Sequence, residues 1–201
     1  MIEVPQTDWL AALRPGDICL TLGSDLFAKL QNLYRKKFNE GPLQASHGFL
    51  LTNPPEIIEA DGLFVSRASI IKDVGNSGKC WVFRYMALTP EQQQKMLAYA
   101  DGAVDAGGYY SVLGIAQFGL HFIGLQKKIG QEGGVFCVEL TGNAIIEAKM
   151  PYISDRKPYD VTPSFQLNWF MGPAIPLGYQ WAAHYDGAGK FLLNEILQPA
   201  A

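Results

Sequence analysis

Residues 17–22 (DICLTL) alternate apolar and polar side chains and are rich in β-formers, the period-2 signature of a strand. Residues 25–38 follow the helical period instead, with Leu26, Phe27, Leu30, Leu33 and Tyr34 on one side and basic residues on the other. After a turn at 40–42, three strand candidates come in succession, each bounded by turn chemistry. They are 47–52 (HGFLLT), 57–60 (IIEA) with Asp61-Gly62 as the turn behind it, and 63–66. A further strand is predicted at 80–86 (CWVFRYM). Thr89, Pro90 and Glu91 then predict a capped helix that runs to about Val104, where Gly107 and Gly108 end it. Ahead of the first strand, Thr7 or Asp8 is placed to cap a short helix that Pro15 and Gly16 stop.

Farther on, residues 109–129 are apolar and expected to be partly helical. Gly133 and Gly134 lead to Cys137 and to a predicted helix over 138–148 (VELTGNAIIEA), with Leu140, Ala144 and Ile145 facing inward. From Met150 on, Pro151, Pro158, Pro163, Pro173 and Pro176 break any long element, while Phe165, Leu167, Trp169 and Phe170 supply apolar anchors. Strands grouped in the middle, with helices before and after, predict an α+β fold. The length of 201 residues suits one domain, with 150–201 a proline- and aromatic-rich C-terminal extension packing on it.

Composition narrows the function classes. At 48% hydrophobic and 17% charged residues, the chain can fill a core and is not a disordered polymer. The net charge is -3 and no basic run exceeds Arg35-Lys36-Lys37, so a nucleic-acid partner is not expected. The N-terminus has no basic region followed by an apolar run, and the expected location is the cytoplasm. Residues 109–125 are too short, and too interrupted by Gln117, His121 and glycines, to predict a membrane span; peripheral membrane contact stays open. Cys19, Cys80 and Cys137 form no CxxC pair, and three cysteines suit free thiols in a reducing compartment, with a single disulfide between two of them as the alternative. No metal-like cluster or phosphate-binding glycine loop is seen, so no cofactor and no metal is expected.

Candidate chemistry starts at Cys137. A cysteine after a glycine pair and before a helix sits where unpaired N–H groups and the helix dipole favour a thiolate. The same N–H groups can donate to an oxyanion as a carbonyl is attacked. A small thiol buried at a helix start fits the local sequence equally well. His47 opens a predicted strand, where its ring can meet a helix N-terminus packed on the sheet and act as base and then acid. A histidine held at a strand end by a local hydrogen bond is the alternative. Glu59 lies between apolar neighbours on the next strand candidate and can orient the imidazole if the two strands pair; otherwise it is a surface glutamate.

Taken together, Pro15-Gly16-Asp17-Ile18, Ser46-His47-Gly48, Ile58-Glu59-Ala60 and Phe136-Cys137-Val138-Glu139-Leu140 resemble the motifs of the circularly permuted papain-like hydrolases. These form the YiiX-like branch of the NlpC-type superfamily, related to lecithin:retinol acyltransferase. The pattern is approximately P-G-D-hydrophobic, S-H-V-G, hydrophobic-E-A and Y-C-S-E-L, and the likeness runs from Arg14 to about Ala148. A Thr-Pro-Ser element at Thr162, Pro163 and Ser164 extends it. Here F-C-V stands for Y-C-S, and S-H-G-F for S-H-V-G. The resemblance implies a permuted papain-like fold, a central antiparallel sheet packed against the helix that bears the nucleophile. It implies catalysis by Cys137 as nucleophile, His47 as base and Glu59 as orienting residue, through a thioester acyl-enzyme.

The expected substrate is an amide in a peptide or N-acyl compound. An ester or acyl-lipid substrate on the same dyad, with hydrolysis or acyl transfer, is the alternative. Two other readings are a catalytically silent binding module on this fold and an interaction protein that docks through Phe165, Trp169, Phe170 and Trp181. Asp17 reads as a turn or cap residue, and Tyr109, Tyr110 and His121 as packing. Cys19 and Cys80 read as inert core thiols, and His184 receives no role.

Overall fold

The computed structural model describes residues 1–23, 44–61, 64–76, 78–107, 137–154, 157–158 and 161–195. The expected helix at 25–38, the turn at 40–42, the apolar 109–129 segment and the approach to Cys137 through Gly133, Gly134 and Phe136 lie outside them.

Among the described residues eight strands form one sheet, and every neighbouring pair is antiparallel. They are β1 (Ile2–Val4), β2 (Ile18–Leu22), β3 (His47–Asn53), β4 (Glu56–Asp61), β5 (Phe64–Ser69), β6 (Lys79–Tyr85), β7 (Tyr179–Tyr185) and β8 (Phe191–Leu193), arranged in the order β1-β8-β7-β6-β2-β3-β4-β5. The helices are α1 (Gln6–Ala12), α2 (Ile70–Asn76), α3 (Pro90–Asp105), α4 (Cys137–Glu147) and α5 (Pro163–Met171). Helices with an antiparallel sheet make an α+β architecture, as the grouping of strands in the sequence predicted.

The central strands β2 and β3 are buried on both faces, so their side chains divide by parity rather than by polarity. Ile18, Leu20, Leu50, Ile58 and Ala60 face one way, into a core shared with α3, α4 and α5. Cys19, Phe49, Leu51, Ile57, Cys80 and Val82 face the other way, against Trp9 of α1 and against Ile70 and Val74 of α2. In α3, Thr89 makes the predicted cap: its hydroxyl accepts from Gln92 N, and the Gln92 side chain accepts from Thr89 N.

Several local features differ from the sequence reading. Neither Thr7 nor Asp8 caps α1; Pro5 stands at the cap position, and the Thr7 hydroxyl donates to Asp8 inside the first turn. Helix α2 falls where no helix was predicted, and α5 starts at Pro163, which suits the first helical turn although it would break a helix interior. Residues beyond 150, read as an extension, supply α5 together with β7 and β8, and β7 lies between β6 and β8 inside the sheet.

Asp17 is a structural residue. Its carboxylate accepts from the Arg14 N–H and forms a two-point ion pair with Arg84, at 2.8 Å from Nε and 2.7 Å from Nη2; both side chains are buried. It precedes β2, four residues before the Thr21 that pairs with His47, and so lies toward the other end of that strand.

Candidate active site

Three elements meet at the start of β3. Strand β3 pairs with β4 in a register that puts Phe49 opposite Glu59, which makes Glu59 the diagonal neighbour of His47 on the same face. The carboxylate takes up that placement: His47 Nε2 lies 2.8 Å from Glu59 Oε2. Glu59 is only 7% exposed, so it is not the solvent-facing glutamate of an amphipathic strand.

The nucleophile candidate arrives from the other side. Cys137 is the first residue of α4, whose first-turn N–H groups have no partner within the helix. Val138, Leu140, Ala144 and Ile145 of α4 pack into the core on the Leu20 and Leu50 face. His47 belongs by strand alternation to the opposite face, where its ring lies 5.9 Å from that of Phe49. Because His47 opens β3, the ring and Cys137 come together at the strand's end, near enough for the thiol to act on the ring. With Nε2 committed to Glu59, Nδ1 is the ring nitrogen left for the sulfur.

Opposing effects act on the ring. Burial is the largest of them and disfavours the imidazolium. The hydrogen bonds to Cys137 and Glu59 and the negative charge of both partners outweigh it, and they hold His47 well above its ordinary value. The protonated ring is therefore favoured by the groups on both sides of it.

Gly48 makes this meeting sterically feasible. A Cβ on it would stand 3.0 Å from Leu20 Cδ2 and 3.1 Å from Val138 Cγ1, so the bare backbone lets α4 settle against β3 beside the dyad. Val138, 2% exposed, is a packing residue here. The other titratable candidates stand apart from the dyad. His184 Nδ1 hydrogen-bonds the Cys80 carbonyl at 2.7 Å, and burial lowers its pKa. Cys19 and Cys80 are fully buried in the sheet. Tyr109, Tyr110 and His121 lie outside the described residues. One participant that the sequence reading did not single out is Ser164, which bonds the segment leading into His47; the Thr-Pro-Ser element was its only signal.

No family model matches the chain, and no curated protein does. Among solved structures, the chain is similar to the metalloprotein yiiX from Escherichia coli O157:H7, with 19% sequence identity and a TM-score of 0.50 over 67% of this chain. The match covers 66% of that protein, somewhat less than two thirds of its length. At this identity the likeness is one of fold: the chain shares an α+β, YiiX-like arrangement of helices on an antiparallel sheet.

Proposed function

We propose that the protein is a papain-like cysteine hydrolase of the permuted type, which cleaves an amide bond through a thioester acyl-enzyme. The observation that carries this reading is the grouping of Cys137, His47 and Glu59, a thiol at a helix start, an imidazole, and a buried carboxylate 2.8 Å from its Nε2. The Cys137 sulfur attacks the carbonyl carbon, and the Cys137 N–H at the start of α4 donates to the developing oxyanion. The imidazolium of His47 gives its proton to the leaving amine as the C–N bond breaks, which leaves a thioester on Cys137. Water then attacks the thioester while His47 takes its proton, and the acid product leaves with the thiolate restored. Glu59 holds Nε2–H throughout, so Nδ1 stays directed at sulfur and substrate.

The similar protein is described as a metalloprotein. Among the described residues, no three His, Cys, Asp or Glu side chains are grouped to hold a metal ion. Glu59 occupies the far nitrogen of His47, and no step above is routed through a metal. Among the described residues there is also no helix long and apolar enough to cross a membrane.

Iodoacetamide labelling near neutral pH, with the adduct mapped by mass spectrometry, tests the reading. Cys137 is expected to react well above the rate of an ordinary thiol, and His47→Ala to slow it about 10²-fold. A panel of N-acyl amides, peptides and acyl esters then identifies the substrate through the mass of the acyl group trapped on Cys137. Ordinary reactivity at Cys137, unchanged by His47→Ala, would overturn the proposal in favour of a binding module on the same fold.

A further inference from the structure

The segment that delivers His47 is held by a residue more than a hundred positions away. Ser164, in the first turn of α5, is fully buried, and its hydroxyl is saturated. It accepts from Gln44 N at 3.0 Å and from Ala45 N at 3.0 Å, and it donates to the Ala45 carbonyl at 2.9 Å. Those are all the hydrogen bonds one hydroxyl can make, and all go to the backbone just ahead of His47. Residues 44–46 precede β3, so they have little ladder of their own; Ser46 N donates to the Thr21 carbonyl, and the Ser46 hydroxyl accepts from Gly23 N. The base is thus approached through a short extended segment pinned to β2 on one side and to α5 on the other.

Helix α5 also holds the nucleophile's helix. Gln166, fully buried, donates through Nε2 to the Thr141 hydroxyl and to the Tyr152 hydroxyl, each at 3.1 Å. Thr141 in turn donates to the Val138 carbonyl at 3.1 Å, one residue from Cys137. Two residues of a single turn of α5 therefore reach both halves of the dyad. Thr162 caps this helix by accepting from Phe165 N, and Pro163 occupies its first position, which fixes where Ser164 and Gln166 stand.

We propose that Ser164 is a positioning residue for the Cys137–His47 pair, and that α5 is a brace: Ser164 sets the base strand and Gln166 sets the nucleophile helix. The proposal rests on the hydrolase reading for its consequence in catalysis, but the placement of His47 is measurable without turnover. Ser164→Ala removes this partner from three backbone groups at a fully buried side chain, and they find new partners only by shifting the segment. Displacements on the scale of an ångström are enough to lower the rate of a positioned reaction by orders of magnitude.

The test compares the full-length wild type with Ser164→Ala, Ser164→Thr, and Leu193→Ala as a destabilised control in the distant core. Two quantities are read: the pH profile of Cys137 alkylation, and the His47 ring titration by NMR. Ser164→Ala should slow alkylation near neutral pH by about tenfold or more, move its profile toward that of an ordinary thiol, and bring the His47 titration down toward the usual imidazole range. Ser164→Thr, which keeps the hydroxyl, should restore both, and Leu193→Ala should lose stability without moving either. A folded Ser164→Ala protein with the wild-type profile and titration overturns the proposal, as does an equal shift in Leu193→Ala. Should Ser164→Ala not fold, Thr141→Val carries the same readouts from the nucleophile side, and an unchanged profile there overturns the brace. If wild-type Cys137 behaves as an ordinary thiol, the hydrolase reading fails alone, and the His47 titration still decides the role of Ser164.

Discussion

Gly48 and Val138 are complementary: the Cβ that Gly48 lacks would lie 3.1 Å from Val138 Cγ1. The motif pattern that the sequence resembles has a branched residue after the histidine and a small one after the cysteine. This chain has the reverse, glycine after His47 and valine after Cys137. In this chain the residues that follow His47 and Cys137 meet in one tight contact.

A double-mutant cycle reads this contact. Gly48→Ala overpacks the contact and should cost about 1–3 kcal/mol. It should also slow Cys137 alkylation, since α4 must shift to admit the methyl group. Val138→Ala opens space at the same place, so the double variant should show a favourable coupling of about 0.5–3 kcal/mol in urea unfolding and recover part of the alkylation rate. Leu20 Cδ2, at 3.0 Å from the same Cβ position, keeps the recovery from being complete.

The His47–Glu59 contact makes a prediction with a definite sign in pH. His47 is raised in the folded protein, so the native state binds its proton more tightly than the unfolded chain. That contribution to stability is fully present below the unfolded value, about 6.5, and is lost as pH rises through the folded value. Wild-type stability relative to Glu59→Gln should therefore shrink as pH rises above about 6.5. The NMR titration of His47 should move down in Glu59→Gln, because one of the two charges that favour the imidazolium is gone. An unshifted titration would mean that Glu59 does not orient the ring.

What could be read from the sequence was local. The strands around Leu20, Leu50 and Val82 and the capped helix at Thr89 follow from short-range pattern, and the structure places them within a residue or two of the expected bounds. The three site candidates could be named because each carries its chemistry in its own side chain. Ser164 carries it only in what it touches, and its partners Gln44 and Ala45 lie about 120 residues earlier. The same Thr-Pro signal that marks α3 at Thr89 recurs at Thr162 and Pro163, but the surrounding prolines masked it as a helix start. Strands β7 and β8 were hidden for a related reason: YQWAAHY is ambiguous until β6 on one side and β8 on the other fix its register.

The ion pair between Asp17 and Arg84 separates stability from chemistry. Arg84 also donates to the Ala12 carbonyl, so this pair ties the end of α1 to β2 and β6. Burial raises the Asp17 pKa against the lowering influence of Arg84, and removal of that guanidinium leaves a buried carboxyl with only the weaker influence of Arg14. Arg84→Met should cost about 3–5 kcal/mol in unfolding free energy. The Cys137 alkylation rate per folded molecule, and its pH profile, should stay at the wild-type level. A changed profile would place Asp17 in the site after all.

The three thiols should part company under native conditions. Cys19 and Cys80 lie on the same face of neighbouring strands and hydrogen-bond each other at zero exposure. Burial, with the Cys80 contact added to it, pushes the Cys19 thiol well above its ordinary value, so neither a path for reagent nor a thiolate population favours its reaction. Cys137 is buried almost as deeply, at 2% exposure, yet it stands against the His47 ring, whose pKa it helps to raise. A thiol titration with DTNB should therefore give one fast equivalent in the folded protein, mapped to Cys137. The other two should appear only as the chain unfolds, with the kinetics of unfolding. Three equivalents at one rate would show that burial, and not the His47 contact, governs reactivity; a fast equivalent at Cys19 or Cys80 would place the activated thiol elsewhere in the sheet.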